Sequence, residues 1–500
     1  MSVRVALLSA TLACVGSDVQ AQGALTAPAN NPGGRPPACQ TNGTACQATR
    51  VFDFLDSIGV NVHLDSYGDT PYGEPANGGT TGAGANTVNG RVSNVSKIAA
   101  ALNWMGIHHV RQISGDPGGA SNYRMNNLQA LVPSLNAVFA IDNGPPYQFT
   151  TATVNSYVAN IGGVVPISIV EAIEAPNEFQ GFNKTYNGAG GAAAVCQLIT
   201  DMTPGVNARL NALGVQRLRL APSVGGDNDF AGKQACRALS TSGNGHPYAW
   251  SGAPMSNVIT EYVKDISDAV VGSTSNWATE MGISSAPGLA NSVDIATEAK
   301  QNLNQLLDMR DIGYTRSFLY EEVDENQNSG IEAHFGQYDS NWVAKPSGTA
   351  LHNQAVILSD PACPYSSTSQ PSCLATAAAT FTPGSLAYTL TNAPNNTYSM
   401  LMQRSDGAFI LAVWGDIFAY NQSSNTPVNT PSTTVTVGFP SMTSITVTDP
   451  MVDANPTTLP AGTSAQIQIS DHPVYLTMAA TGGGGGAAVR GACTFGGGSL

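Results

Sequence analysis

From about residue 50 to 360 the chain alternates short apolar runs with stretches of helical spacing. Residues 58–64 (Ile-Gly-Val-Asn-Val-His-Leu) predict a first strand. Residues 97–105 predict a helix that stops at Gly106, a residue suited to the left-handed turn that ends a helix. The pattern then repeats, with strands at 107–111, 137–141, 169–175 and 217–221 and helices at 128–135, 154–161, 190–213, 254–271 and 296–310. A sixth strand ends near 245–248, a seventh starts at Asn276 and an eighth covers 317–320. Parallel strands covered on both faces read as such continuous apolar runs. Eight strand–helix units over roughly 300 residues predict an α/β fold, a (β/α)8 barrel. The alternative is an open doubly wound sheet, and the lack of a Gly-rich fingerprint after the first strand counts against it.

After Asp360 the texture changes to Thr, Ser, Pro and Val, with alternating runs at 409–414, 433–437 and 444–448. Short alternating strands between turn residues predict an antiparallel β-sandwich. The expected organisation is a leader over 1–21, an irregular segment over 22–48, a barrel over 49–360, a sandwich over 361–480 and a Gly-rich flexible tail over 481–500.

Composition narrows the class of protein. Hydrophobic residues make up 42% of the chain, ample for a core, and charged residues only 11%. A net charge of −14 and a pI near 4.8 argue against a nucleic-acid partner. Arg4, the apolar run 5–15 and Val19-Gln20-Ala21 predict a secretory signal peptide cleaved after Ala21. No other run reaches the ~18 apolar residues of a membrane span, so no membrane partner is expected. Of eight cysteines, Cys14 lies in the leader. Secretion favours disulfides among the rest. Spacing suggests Cys39–Cys46, Cys363–Cys373 and Cys196–Cys236, with Cys493 left over, although six cysteines allow other pairings. Neither a C-x-x-C pair nor a His-rich cluster points to a metal, and no cofactor is expected. N-x-S/T triplets occur at Asn42, Asn94, Asn183, Asn395 and Asn421.

Where charge is this scarce, carboxylates at strand ends need a reason. Glu178 follows the fourth strand in Ile-Glu-Ala-Pro-Asn-Glu, and Glu280 ends the run Trp-Ala-Thr-Glu-Met-Gly on the seventh. In a barrel, strand C-termini face the active-site mouth. Two carboxyls there suit glycosidic bond cleavage, one as proton donor and one as nucleophile. Glu174, earlier on the fourth strand, is expected to be a buried partner of Arg111. Glu321 and Glu322, at the end of the eighth strand, compete with Glu280 for the nucleophile role, and Glu322 is expected to bind sugar.

Asn177-Glu178 after a strand resembles the acid/base signature of the clan A glycoside hydrolases. Trp277 followed by Thr279-Glu280-x-Gly282 is similar to that clan's nucleophile strand. The resemblance extends over the barrel: His246-Pro247-Tyr248 on strand six, Arg111 on strand two, and Phe318-Leu-Tyr-Glu-Glu322 followed by Lys345-Pro346 and a sandwich, the layout of the families near β-xylosidases and β-glucuronidases. It implies a secreted retaining hydrolase of β-linked oligo- or polysaccharides, with Glu178 as acid/base and Glu280 as nucleophile. It also implies that Asn177 binds the 2-hydroxyl and Tyr248 hydrogen-bonds the nucleophile; Arg111 has two readings, fixing the nucleophile's charge, which is favoured, or only pairing with a barrel carboxylate. His63 and His246 have a sugar-binding and a core reading. Trp250, Trp277, Tyr320 and Trp342 are candidate sugar platforms, Trp250 foremost because it lies in a loop after a strand. The rival functions are a carbohydrate-binding or cell-surface protein on the same barrel, and a transglycosylase using the same two glutamates. An esterase is disfavoured, since no G-x-S-x-G elbow is present.

Overall fold

In the computed structural model of the chain, the described residues are 45–479 apart from 65–72, 76–86, 89–90, 94, 114–119, 143–146, 163–165, 224–235, 237–238, 251, 255–266, 268–274, 287, 326–329, 370–371 and 441–443. The expected leader, the tail, Cys39, Cys493, Asn42, Asn94 and nearly all of the helix expected over 254–271 lie outside them.

Eight strands form one parallel sheet: β1 (Ile58–Asn61), β2 (His109–Ile113), β3 (Asn136–Ala140), β4 (Val170–Glu174), β5 (Leu218–Leu220), β6 (Gly243–Gly245), β7 (Asn276–Met281) and β8 (Tyr314–Leu319). Sequential neighbours pair in parallel, and β8 returns to β1. Between β5 and β6 the ring is closed by a parallel bridge from Leu220 to Ser242, where the Ala221 N–H donates to the Ser242 carbonyl at 2.9 Å. Among the described residues, seven helices carry the crossovers and flanks: α1 (Val51–Leu55), α2 (Val95–Met105), α3 (Ala120–Leu131), α4 (Thr151–Asn160), α5 (Gly191–Ala212), α6 (Ile295–Asp311) and α7 (Pro346–Ile357).

The barrel is packed through. Val138, Ala172, Leu220, Trp277 and Phe318 form one interior cluster. Gly59 makes room for it, because a Cβ there would lie 2.3 Å from the Phe318 ring. Trp277, a candidate sugar platform in the sequence, belongs to this interior: it is 3% exposed and stacks on Phe318. At the N-terminal end of the strands, charge is balanced pairwise. His109 lies 3.0 Å from both Asp56 and Glu171, and Arg316 reaches the same two carboxylates at 3.2 and 2.8 Å.

The sandwich has a six-stranded sheet, ordered Thr49–Arg50, Thr397–Gln403, Phe409–Gly415, Val474–Met478, Ile445–Thr448, Thr457–Leu459. Against it lie Thr389–Thr391, Thr433–Gly438 and Ser464–Ile469, the last with strict exposed–buried alternation. Leu411, Val413 and Leu476 meet Val435, Val437 and Ile467 between the sheets. The sequence placed residues 45–50 in or beside an irregular lead-in. Instead Ala45–Gln47 pairs with Ser385–Ala387, and Thr49–Arg50 adds in parallel to Met402–Gln403. The chain therefore touches the sandwich before it builds the barrel.

Helix α6 joins the two halves. It is buried over most of its length although rich in polar residues, and these residues carry the contacts to the sandwich. Asn304 donates to the carbonyls of Gly415 and Asp471, Asp308 accepts from Trp414 Nε1 at 3.0 Å, and Lys300 pairs with Asp471 at 2.9 Å. Cys196–Cys236 and Cys363–Cys373 form disulfides, as spacing suggested, and Cys46 is also disulfide-bonded. No helix among the described residues is long and apolar enough to cross a membrane.

Candidate active site

Arg111 on β2 points inward from the C-terminal half of the barrel and is 1% exposed. A buried guanidinium needs acceptors for all its donors, and here they come from three strands and the loop after β4. Its Nε and Nη2 form a bidentate pair with Glu174 of β4, at 2.7 and 2.8 Å. Nη1 donates to Asn61 of β1 at 3.0 Å and to Glu280 of β7 at 2.5 Å. Nη2 also donates to Asn177 Oδ1 at 2.8 Å. Burial opposes its charge, but Glu174 and Glu280 outweigh that and hold Arg111 above its usual pKa.

Glu174 is completely buried and fully paired: beyond Arg111 it accepts from Asn244 Nδ2 and Thr279 Oγ1, both at 3.1 Å. It is the partner of Arg111 that the sequence suggested. Glu280, 7% exposed, takes a second hydrogen bond from the Tyr248 hydroxyl at 2.9 Å. Burial pushes the Tyr248 phenol well above its usual pKa, and Glu280 adds to the rise, so Tyr248 stays a donor. Gly282 has a packing reason: a Cβ there would lie 2.4 Å from the Tyr320 carbonyl.

Glu178 is the more open carboxyl, its side chain 28% exposed. Its φ of 39° lies in the left-handed region, uncommon for a side-chain-bearing residue. The Ser223 hydroxyl, just past β5, accepts from its N–H at 2.9 Å. His246 lies between the two glutamates, with Nδ1 2.9 Å from Glu178 and 3.5 Å from Glu280. Its Nε2 contacts Thr279 Oγ1 at 3.0 Å. Burial disfavours the imidazolium, but Glu280 and Glu178 raise its pKa above the ordinary value. Single ligand atoms of Glu178, His246 and Glu280 all lie within 4.8 Å of one another. The same holds for Asp56, His108 and His109 at the opposite end of the barrel. Either trio has donor atoms that suit a divalent ion, yet Arg111 and Arg316 already neutralise a carboxylate in each.

Beyond Glu280 stands an aromatic wall. Trp250 stacks on Tyr248 with centroids 5.2 Å apart, and Phe335 meets Tyr248, Trp250 and Tyr320 edge-on. Tyr320 in turn meets His63 edge-on at 5.7 Å. His63 Nε2 is 3.1 Å from Glu321, which overcomes burial and raises the imidazole pKa. Glu178, Glu280, Asn177, Arg111, His246 and Tyr248 thus converge on one cluster, with Trp250, Tyr320 and His63 along its wall. Glu322 does not join them. It is completely buried, and neither carboxyl oxygen has a hydrogen-bond partner among the described residues. Burial, with Glu321 adding, raises its pKa well above the ordinary carboxyl value. Trp342 packs beside Tyr338, also away from the cluster. Sequence reasoning missed Asn61, Asn244 and Ser223, and read Thr279 only as part of the motif around Glu280. Their one available signal was a polar residue at or just past the end of a barrel strand.

Neither a comparison with protein-family models nor one with curated protein sequences finds a match. Solved structures do match. A family 39 glycoside hydrolase from the gut symbiont Bacteroides cellulosilyticus superposes with a TM-score of 0.55 at 14% identity, over 85% of this chain and 82% of that one. A glucosidase from Croceicoccus marinus gives 0.52 at 12% identity, over 84% and 99%. At such identity the likeness is one of fold, a (β/α)8 barrel followed by a β-sandwich.

Proposed function

We propose that the protein is a secreted retaining glycoside hydrolase acting on β-linked glycans, with Glu178 as acid/base and Glu280 as nucleophile. The observation that carries this reading is the spacing of the two carboxyls, whose nearer oxygens lie within 4.8 Å of each other. Retaining enzymes need carboxyl groups about 5–5.5 Å apart, whereas inverting ones leave room for a water at roughly 6.5–9.5 Å. The two structural neighbours, a family 39 glycoside hydrolase and a glucosidase, agree with it.

The roles follow from the environments. Arg111 and Tyr248 donate to Glu280 and aim it at the anomeric carbon. Glu178, more exposed and beside His246, delivers a proton to the leaving oxygen as the C–O bond breaks. The glycosyl–Glu280 ester is then opened by water, whose proton returns to Glu178. Asn177 spends its carbonyl on Arg111, which leaves its amide N–H2 to donate to the sugar 2-hydroxyl. Trp250 offers a stacking face along the wall. The leader and the disulfides support secretion.

Glu178→Ala tests the acid. Turnover of an aryl glycoside with a good leaving group should stay within about tenfold of wild type, while natural glycans slow by the roughly 100-fold or more that general acid catalysis contributes. Equal loss on both substrates would refute the role.

A further inference from the structure

The loops after β3 and β4 are joined above the barrel. Thr185–Tyr186 pairs in parallel with Gln148–Phe149 and antiparallel with Ala189–Gly190, a small three-stranded sheet. Two rings meet at its edge: Tyr147 and Phe182 have centroids 5.6 Å apart. Phe182 is 42% exposed, one of eight large apolar side chains open to solvent among the described residues. Lys184 covers the pair from within, its Nζ 5.2 Å from the Phe182 centroid and 5.6 Å from that of Tyr147. Lys184 is itself 1% exposed and held by Asp142 at 2.6 and 2.7 Å. The rings are thus set on a buried ion pair, with one aromatic surface facing out.

Their place relative to Glu178 gives that surface a use. The Phe182 N–H donates to the Glu178 carbonyl at 3.1 Å, so both belong to one turn. A side chain added at Gly181 would lie 3.9 Å from Glu178 Oε2, so this turn runs against the carboxyl itself. Tyr248, Tyr320 and His63 stand on the other side, around Glu280, on the ends of β6, β8 and β1. A proton donor lies on the leaving-group side of the bond it cleaves.

We propose that Tyr147 and Phe182 form the leaving-group subsite, stacking on the neutral pyranose that departs when Glu178 protonates the glycosidic oxygen. The preferred substrate is then an oligosaccharide or longer chain rather than a glycoside with a small aglycone. A neutral sugar suits this platform, because Lys184, the cation beside the two rings among the described residues, is buried and already paired with Asp142. The assignment rests on the glycoside hydrolase reading given above.

The test compares wild type, Phe182→Ala and Phe182→Leu on pairs that share a glycone: β-xylosyl fluoride with xylotriose, and β-glucosyl fluoride with cellotriose and laminaritriose. Fluoride has no ring to stack. Both variants should leave fluoride hydrolysis within about twofold of wild type and lower trisaccharide kcat/KM about tenfold, the effect expected for one lost aromatic contact. Equal effects on fluoride and trisaccharide, or none on the trisaccharide, would overturn the subsite while keeping the hydrolase. Trisaccharide binding to Glu280→Gln, with and without Phe182→Leu, is read by fluorescence without any turnover. Unchanged affinity would also overturn the proposal. A wild type that cleaves none of the five substrates and binds no trisaccharide would sink the hydrolase reading and this subsite together.

Discussion

Replacing Arg111 with methionine strands two carboxylates at once. Glu174 is completely buried and loses a bidentate partner at 2.7 and 2.8 Å, and Glu280 loses its contact at 2.5 Å. Breaking a buried ion pair by removing one partner costs about 3–5 kcal/mol, because the other charge is left uncompensated. Arg111→Met should therefore lose about that much in urea unfolding followed by tryptophan fluorescence. Adding Glu174→Gln removes one stranded charge, and the double variant should regain about 1–3 kcal/mol as a coupling energy. Activity should not return with it, since Glu280 still lacks its donor. Arg111→Lys should fall between the two for stability: the charge is kept, but an ammonium cannot reproduce the planar fork that serves Glu174, Asn61, Asn177 and Glu280 together. A methionine variant within about 1 kcal/mol of wild type, or strict additivity with Glu174→Gln, would refute the view of Arg111 as the hub of the site.

The joint between barrel and sandwich should weaken in base. Burial opposes the His472 imidazolium, but Asp449 and Asp471 raise its pKa to about 9 from an ordinary 6.5. Its contribution is full below pH 6.5 and lost as pH rises through about 9, on the order of 1–3 kcal/mol. Unfolding midpoints in that window should fall for wild type and flatten for His472→Gln; parallel curves would refute the assignment. Gly282→Ala should lose roughly 1–3 kcal/mol and most activity, because its Cβ would push on the Tyr320 carbonyl from 2.4 Å; an active variant of wild-type stability would show that strand β7 needs no glycine there.

The barrel was legible because parallel strands buried on both faces read as largely apolar runs, as Ile58–Val60 of β1 and Ala137–Ala140 of β3 do, while β4 carries Glu171 and Glu174 among its apolar residues. Strand β6 was harder to place: Gly-Asn-Gly carries no apolar pattern, and a Cβ at Gly243 would fall 1.8 Å from Asn276 Oδ1, so close packing decides its residues. Glu178 and Glu280 were readable because each follows an apolar run in a charge-poor chain. Glu322 was not. At the end of β8 one residue of register decides between the mouth and the interior, and Glu321 rather than Glu322 faces His63. The early strands Ala45–Gln47 and Thr49–Arg50 escaped notice because their partners lie more than 300 residues away. The buried polar face of α6 looks solvent-exposed in sequence and makes sense only once the sandwich is docked on it.

The most direct measurement is chemical rescue of Glu280→Gly on an activated aryl β-glycoside. With azide added, turnover should recover and the product should be the glycosyl azide of inverted anomeric configuration, because azide fills the space the nucleophile left. No rescue at Glu280, with rescue in Glu321→Gly instead, would contradict the account and move the nucleophile to β8.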